Sequence, residues 1–237
     1  YALKQLGKRV RFECEDEIPK KFYFLCKELT FEQFEPNFIV AVDVADSKLL
    51  GDETEKKYQG KVNLCIDHHM SHRPFAEKIV LENRAAACEI MLDVITELGV
   101  KFEKNIADCL YTGISTDTGC FRYSNTTVHT HLSAAWLIEY GADSSEIDRR
   151  MFETKTKTYM MLERLALNSL EMYFDDRCAV MCVTKEMFRL SGSNESECDG
   201  ISALPRQIEG VLAGVTIREK GENEYKISLR TNAPLDA

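Results

Sequence analysis

The sequence predicts an α/β fold in which a parallel-sheet domain, with helices on both faces, is joined by a long linker helix to a smaller α+β domain. Two short, almost wholly apolar runs, residues 38–44 and 62–66, have the composition of buried parallel strands. Helical patterns follow at 85–98, 105–114 and 126–140. Strands that alternate with helices are typical of a parallel sheet.

The start of the chain fits the same class. Residues 9–14 have the alternation of a strand, and residues 19–29 have apolar residues at helical spacing behind a proline. Residues 51–60 are polar and predict a short helix and a loop.

The pattern changes after about residue 150. Residues 151–170 contain no glycine or proline and predict the long linker helix. Residues 178–184 are strand-like, and 210–219 with 225–230 predict a hairpin around a polar turn. We therefore expect a first domain over 1–150, the linker helix over 151–170 and a second domain over 171–237.

Composition limits the classes of function. The 237 residues carry a net charge of -9, which argues against binding to long duplex nucleic acid. No apolar run is long enough to cross a membrane. The nine cysteines have no CxxC pair, which predicts free thiols in a reducing, cytoplasmic protein.

Acidic residues and histidines stand where the two predicted strands end. Asp43 lies at the end of the first strand with Asp46 a turn later, and Asp67, His68 and His69 follow the second. Ligands of parallel sheets gather beyond the carboxyl ends of the strands, so we expect these side chains to face one crevice. Aspartates with a histidine suit a hard divalent cation such as Mn²⁺ or Mg²⁺.

A third segment, residues 111–123, reads YTGISTDTGCFRY. Asp117 follows a helical pattern and precedes Gly119, and small polar residues surround it. This pattern indicates a tight turn that aims a carboxylate and backbone N–H groups at an anion. Arg122 could add a phosphate contact.

Other interpretations of the same residues remain open. Asp43 and Asp46 are also suited to cap helices, and an Asp-His-His string can be an ordinary loop. We expect His72, His129 and His131 to be surface or capping residues. Three segments that each supply an acid to one predicted face favour the metal site.

In combination, these motifs resemble the DHH phosphoesterase superfamily. The matching strings are VDVAD upstream, IDHH at 66–69 and GISTDTGCFRYSNTT at 113–127. The branch is the RecJ-like nanoRNases, the bifunctional oligoribonuclease/pAp phosphatases. Residues 199–219 and 226–232 resemble the DHHA1 substrate-binding domain of that branch, so the resemblance covers essentially the whole chain.

The resemblance implies roles for particular residues. Asp43 would bridge two manganese ions, with magnesium as the alternative metal, and His68 and Asp117 would bind one of them. Asp67 would support the ligands without touching an ion, and His69 would contact the scissile phosphate. In the DHHA1 part, Arg230 matches a substrate-holding arginine, and Arg206 is a weaker candidate.

Two family motifs have no match here. No histidine precedes residue 68, so an HxxxDxD-type motif with three further ligands is missing before Asp43. Residues 1–10 look like the helix and strand that follow that motif, and the glycine-rich GGGH element should come shortly after Arg230. We expect a longer form of the chain to carry both motifs.

The resemblance implies metal-assisted hydrolysis of short oligoribonucleotides or pAp to nucleoside monophosphates in a groove between the domains. A homodimer is what the family suggests. The alternatives are hydrolysis of linear or cyclic dinucleotides such as pApA, or of pyrophosphate. A nucleotide-binding module without turnover, and a purely structural protein, also remain open.

Overall fold

The computed structural model describes residues 1–27 and 29–235. The chain divides into two compact units, Tyr1–Thr154 and Lys155–Ala237. Residues 236–237 of the expected second domain lie outside the described residues. None of the helices in the described residues is long and apolar enough to span a membrane.

The first unit combines a small sheet with a layer of helices. Its strands and α-helices are α1 (Ala2–Gln5), β1 (Val40–Val42), α2 (Asp52–Tyr58), β2 (Leu64–Asp67), β3 (Lys78–Leu81), α3 (Ala87–Glu97), α4 (Lys104–Asp117), α5 (Val128–Glu139) and α6 (Ser144–Asp148). Two 3-10 turns, Lys20–Leu25 and Ser47–Leu50, and a π turn, Arg149–Glu153, complete it.

The sheet of the first unit is parallel throughout, in the order β1-β2-β3. Val42 pairs with Ile66, so Asp43, which follows β1, and Asp67, the last residue of β2, lie at the same edge of the sheet. The α/β class with a parallel sheet is therefore confirmed. This register brings the acids at the two strand ends together.

Apolar side chains of α3 to α6 form the main core of this unit. Ile114 and Leu137 are fully buried in it, and Ile147 is almost so. Helices α3 and α4 approach so closely that a Cβ added to Gly113 would lie 2.2 Å from the Cys88 Sγ. A glycine at this position of α4 lets the helix that carries Asp117 lie against α3.

The second unit is a mixed sheet with helices packed on it. Its elements are α7 (Lys157–Leu167), β4 (Glu171–Tyr173), β5 (Cys178–Val183), α8 (Lys185–Ser191), α9 (Cys198–Ile201), β6 (Ala213–Gly221) and β7 (Glu224–Thr231), with 3-10 turns at Glu195–Glu197 and Pro205–Gln207. The order is β4-β5-β6-β7, with β5 and β6 parallel and the outer pairs antiparallel. Leu162 and Ala166 of α7 pack on Met181 and Val183 of β5.

The strand expected over residues 9–14 does not form. The Arg11 guanidinium donates to the Phe34 carbonyl (3.2 Å), and Glu13 accepts hydrogen bonds from Lys57 and Tyr58. A strand is stabilised by ladder hydrogen bonds to a neighbour, and no described strand lies beside this segment. The helix expected over residues 19–29 is only the short 3-10 turn Lys20–Leu25.

The prediction of a continuous linker helix over residues 151–170 is also wrong. The π turn ends at Glu153, and α7 begins only at Lys157. The Thr156 side chain caps α7 by accepting a hydrogen bond from the Tyr159 N–H (2.9 Å). A threonine in this role starts a new helix, because its extended backbone cannot continue the preceding one.

Candidate metal centre

Asp43 is held in an uncommon backbone conformation at the end of β1. Its φ is 61°, in the left-handed region, and its N–H donates to the Ile66 carbonyl (2.9 Å). Left-handed backbone costs an L-residue about 1–2 kcal/mol, and aspartate tolerates it better than most residues. Such conformations often occur where a side chain must be aimed at a functional site.

Three side chains from distant segments converge beyond the sheet edge. The His68 Nε2 lies 3.3 Å from the Asp43 Oδ1 and 3.8 Å from the Asp117 Oδ2. Asp43 follows β1, His68 follows β2, and Asp117 is the last residue of α4. Two carboxylates and an imidazole nitrogen thus face a common point.

The other ring nitrogen of His68 fixes its tautomer. The Nδ1 lies 3.0 Å from the Arg84 carbonyl oxygen, which can only accept, so the proton resides on Nδ1. This leaves Nε2 facing the two aspartates, where its lone pair can bind a metal ion. A metal-binding histidine is typically oriented by such a hydrogen bond from its second nitrogen.

Asp67 is completely buried behind these groups. Burial alone would raise its pKa, but hydrogen bonds from the His69 and His72 side chains and from the His68 N–H lower it. The two Nδ1 atoms lie 2.7 Å from its two carboxylate oxygens, one on each. Asp67 is therefore placed to support the neighbouring histidines.

His72 was expected at the surface, and this prediction was wrong. Its side chain is only 2% exposed and hydrogen-bonds Asp67. The chain turns back after His69, as the His72 N–H bonds to the His69 carbonyl (3.1 Å). The spacing HHxxH was the signal in the sequence, but it does not reveal which way the loop folds.

His69 and Asp117 are the two candidates for the third donor beside Asp43 and His68. The His69 Nδ1 lies 3.7 Å from the Asp43 Oδ1, but it already bonds to Asp67, and this bond raises the pKa of His69. The Asp117 carboxylate accepts no hydrogen bond from the part of the chain that the structure describes. Asp43, His68 and His69 have donor atoms within 4.8 Å of one another, whereas of the two candidates Asp117 has the carboxylate that is free of hydrogen bonds among the described residues.

The environment of Asp117 suits a cation. Burial raises the pKa of its carboxyl group, and the nearby negative charge of Asp43 raises it further, against the opposing effect of His68 and His69. Two carboxylates held close together repel each other, and a divalent ion between them would relieve that repulsion. Oxygen donors with one imidazole fit a hard divalent metal.

The turn after α4 has the tight geometry that the sequence predicted. Gly119, Cys120 and Phe121 all have positive φ, between 56° and 61°. Arg122 is exposed, and its Nε donates to the Gly119 carbonyl (2.6 Å).

Asp46, the other acid after β1, caps the 3-10 turn Ser47–Leu50 by accepting a hydrogen bond from the Lys48 N–H (3.1 Å). This agrees with the alternative interpretation of Asp46 as a helix cap.

Two of the three arginines expected to bind substrate lie in the second unit. Arg230 is exposed on β7, opposite Gly214 of β6. Arg206 donates from its guanidinium to the Asn232 Oδ1 (3.1 Å), and the Asn232 side-chain amide donates back to the Arg206 carbonyl (2.9 Å). The Arg206 guanidinium thus has a partner within the unit, whereas the structure records none for Arg230 among the described residues.

Sequence comparison identifies relatives of this chain. The model of the DHH family, N-terminal domain, matches residues 1–114. The bifunctional oligoribonuclease and PAP phosphatase NrnA of Thermus thermophilus is 31% identical over 243 aligned residues, covering 100% of this chain and 71% of that protein. The protein of the same name in Bacillus subtilis is 25% identical, with 90% of this chain and 68% of the relative covered.

Structural comparison gives a matching fold. An exopolyphosphatase-related protein from Bacteroides fragilis superposes with a TM-score of 0.86 at 21% identity, over 98% of this chain and 73% of that one. The NrnA match spans this whole chain at 31% identity and more than two thirds of the relative. This chain therefore belongs to the DHH family, in the branch that contains the NrnA proteins.

Proposed function

We propose that this protein is a manganese-dependent phosphoesterase that hydrolyses short oligoribonucleotides and pAp to nucleoside monophosphates. The names of its relatives support this substrate class. The observation that carries the proposal is the convergence of Asp43, His68 and Asp117, from three separate segments, on one point.

Asp43, His68 and Asp117 would hold the metal. DHH phosphoesterases are metal-dependent, and manganese is our choice, with magnesium as the alternative. The resemblance implies a second ion that shares Asp43. When bound, divalent ions at such a site lower the pKa of water and stabilise charge on phosphate oxygens.

The neighbouring residues have supporting roles in the proposal. Asp67 accepts a hydrogen bond from the His69 Nδ1–H and so fixes the orientation of that ring. His69 is 44% exposed, and the raised pKa of its ring favours the charged form, which can donate to a phosphate oxygen. Arg122, exposed on the turn after α4, would add a further phosphate contact.

The second unit would supply substrate binding of the DHHA1 type, over residues 171–237. Arg230 is our first choice for holding a substrate phosphate, because its guanidinium is exposed on β7. Arg206 is the weaker candidate, since its guanidinium already bonds to Asn232. We also propose a homodimer, and a cytoplasmic location in keeping with nine cysteines that have no CxxC spacing.

The proposed function is tested by measuring the hydrolysis rate of the Asp117→Asn variant in saturating manganese. This change keeps the size of the side chain but removes the negative charge, so we expect loss of hydrolysis of pAp and of a dinucleotide with the fold intact. Asp175→Asn is the matched control, because the Asp175 side chain is 97% exposed in the second unit. Near-normal turnover by the Asp117 variant would reject the proposal.

The same assay separates the alternative substrates. Rates on pAp, pApA, a cyclic dinucleotide and pyrophosphate are compared at equal concentration. We expect the nucleoside-bearing phosphate esters to be cut faster than pyrophosphate. A preference for pyrophosphate would contradict the proposed substrate class.

A further inference from the structure

A cleft of about 640 Å³ opens on the first unit between residues 82–85 and residues 124–129, with Glu89 also in its wall. This volume lies within the usual range of about 300–1,000 Å³ for small-molecule sites. None of the residues assigned to metal or substrate above lines it.

Two residues that line the cleft also form hydrogen bonds with residues of the metal centre. Arg84 lines the cleft, and its carbonyl accepts the hydrogen bond that orients His68 (3.0 Å). Asn125 also lines the cleft, and its side-chain amide donates to the Asp117 carbonyl (3.2 Å). A molecule whose phosphate lies at the metal centre could therefore place its next group in the cleft.

Glu89 is an unusual residue for the wall of a cleft. Its side chain is 1% exposed, and neither carboxylate oxygen has a hydrogen-bond partner. A buried carboxylate without hydrogen bonds is costly to the fold. Its nearest ionisable neighbour is His129, whose Nδ1 lies 3.5 Å from the Glu89 Oε2.

His129 stands between Glu89 and solvent. The ring is 42% exposed, and its Nδ1 also lies 3.3 Å from the Ser133 Oγ. With its proton on Nδ1, facing Glu89, the ring presents the Nε2 lone pair as an acceptor. No hydrogen bond occupies this Nε2 in the part of the chain that the structure describes.

The charges of the cleft point to a neutral ligand that donates hydrogen bonds. Glu82 and Glu89 are acidic, and the Arg84 guanidinium is already bonded to Glu82 (3.0 Å) and Asp93 (3.3 Å). A second phosphate would be repelled by the two carboxylates. The Asn125 N–H groups already donate to the Ala85 and Asp117 carbonyls. The Asn125 Oδ1, the Asn83 amide and His129 as acceptor fit the edge of a nucleobase that donates hydrogen bonds.

We propose that this cleft binds the nucleobase of the nucleotide next to the scissile phosphate, with His129 as its acceptor and Glu89 orienting His129. This inference rests on the proposed function. Guanine offers adjacent N1–H and N2–H donors, whereas uracil has one N–H between two carbonyl groups. The site therefore prefers guanine to uracil.

Binding of guanosine and uridine, measured by calorimetry in EDTA, tests the proposal without turnover. Wild type should bind guanosine about tenfold more tightly, the ratio that corresponds to 1.4 kcal/mol. His129→Ala and Glu89→Gln should lose that preference, whereas Glu139→Gln, an exposed change on the same helix, should keep it. Equal binding of the two nucleosides by wild type, or a preference kept by folded His129→Ala, would overturn the proposal.

A base-free ester separates this inference from the proposed function. Hydrolysis of bis-p-nitrophenyl phosphate in manganese depends on the metal centre alone, so His129→Ala should cleave it at the wild-type rate. If wild type fails to cleave it but prefers guanosine, the hydrolase proposal fails and the cleft assignment stands. If wild type cleaves it and shows no base preference, only the cleft assignment fails.

Discussion

Asp67 is a buried negative charge whose stability depends on the donors around it. The His72 Nδ1 is the donor to one of its two carboxylate oxygens, at 2.7 Å. His72→Leu would leave that oxygen buried without a partner, so we expect a loss of about 1–3 kcal/mol in the free energy of unfolding. Urea denaturation measures it, and a stability equal to wild type would contradict this role.

His72→Gln is the matched variant for this experiment. Glutamine keeps an N–H donor of similar reach, so it should recover part of the lost stability. If His72 orients His69 through Asp67, the leucine variant should also lose kcat more than the glutamine variant does. Equal losses in the two variants would show that the hydrogen bond is unimportant.

The sequence allowed the central residues of the site to be predicted because each stands at the end of an element. Asp43 and His68 follow apolar runs, and parallel strands bring such ends together. Asp117 ends a helical pattern. His72 and Glu89 could not be predicted in their roles, because their burial depends on how loops and helices fold back, which periodicity does not encode.

At the scale of elements, the Cys88 side chain of α3 leaves no room for a Cβ at position 113 of α4. A Cβ at position 113 would lie 2.2 Å from the Cys88 Sγ, so Gly113→Ala forces the Cys88 thiol or the helices to shift. We expect a destabilisation of about 1–3 kcal/mol, as for other overpacked cores. Because α4 carries Asp117, the variant should also bind metal more weakly.

The double variant Cys88→Ala/Gly113→Ala tests that contact directly. Removing the Sγ atom makes room for the new methyl group, so the double variant should be more stable than Gly113→Ala alone. Urea midpoints of the four proteins form a thermodynamic cycle. Strictly additive effects would mean that residues 88 and 113 do not interact.

The elements themselves could be predicted where pattern and pairing agree. The helices α3, α4 and α5 and the hairpin of β6 and β7 lie close to their predicted positions. The prediction of a strand over residues 9–14 failed because this segment pairs with no described strand. Strand β3 was missed because it is a largely exposed edge strand without a long apolar run. The prediction of a linker helix failed because Thr156 caps a new helix within a segment whose composition favours one continuous helix.

For the whole molecule, we expect a divalent metal to stabilise the fold. A ligand that binds only the folded state adds about 2.7 kcal/mol at a concentration one hundred times its Kd. Adding manganese to metal-free protein should therefore raise the midpoint of thermal unfolding. Asp117→Asn should show a much smaller shift, and equal shifts in both proteins would place the metal elsewhere.

The nine thiols should differ widely in reactivity. Burial raises the pKa of Cys65 to about 11, of Cys88 to about 12 and of Cys109 to about 11, so these three stay protonated at pH 8. Cys14 is exposed. Iodoacetamide labelling of the native protein, read by mass spectrometry, should modify Cys14 well before these three, and early labelling of Cys88 would contradict the packing of α3 on α4.

The most direct test of the account is the position of the metal itself. Crystals soaked in manganese and measured at the manganese absorption edge would show an anomalous peak at each bound ion. We expect a peak in bonding contact with Asp43, the His68 Nε2 and Asp117. A fully occupied ion elsewhere, with none at these three side chains, would contradict it.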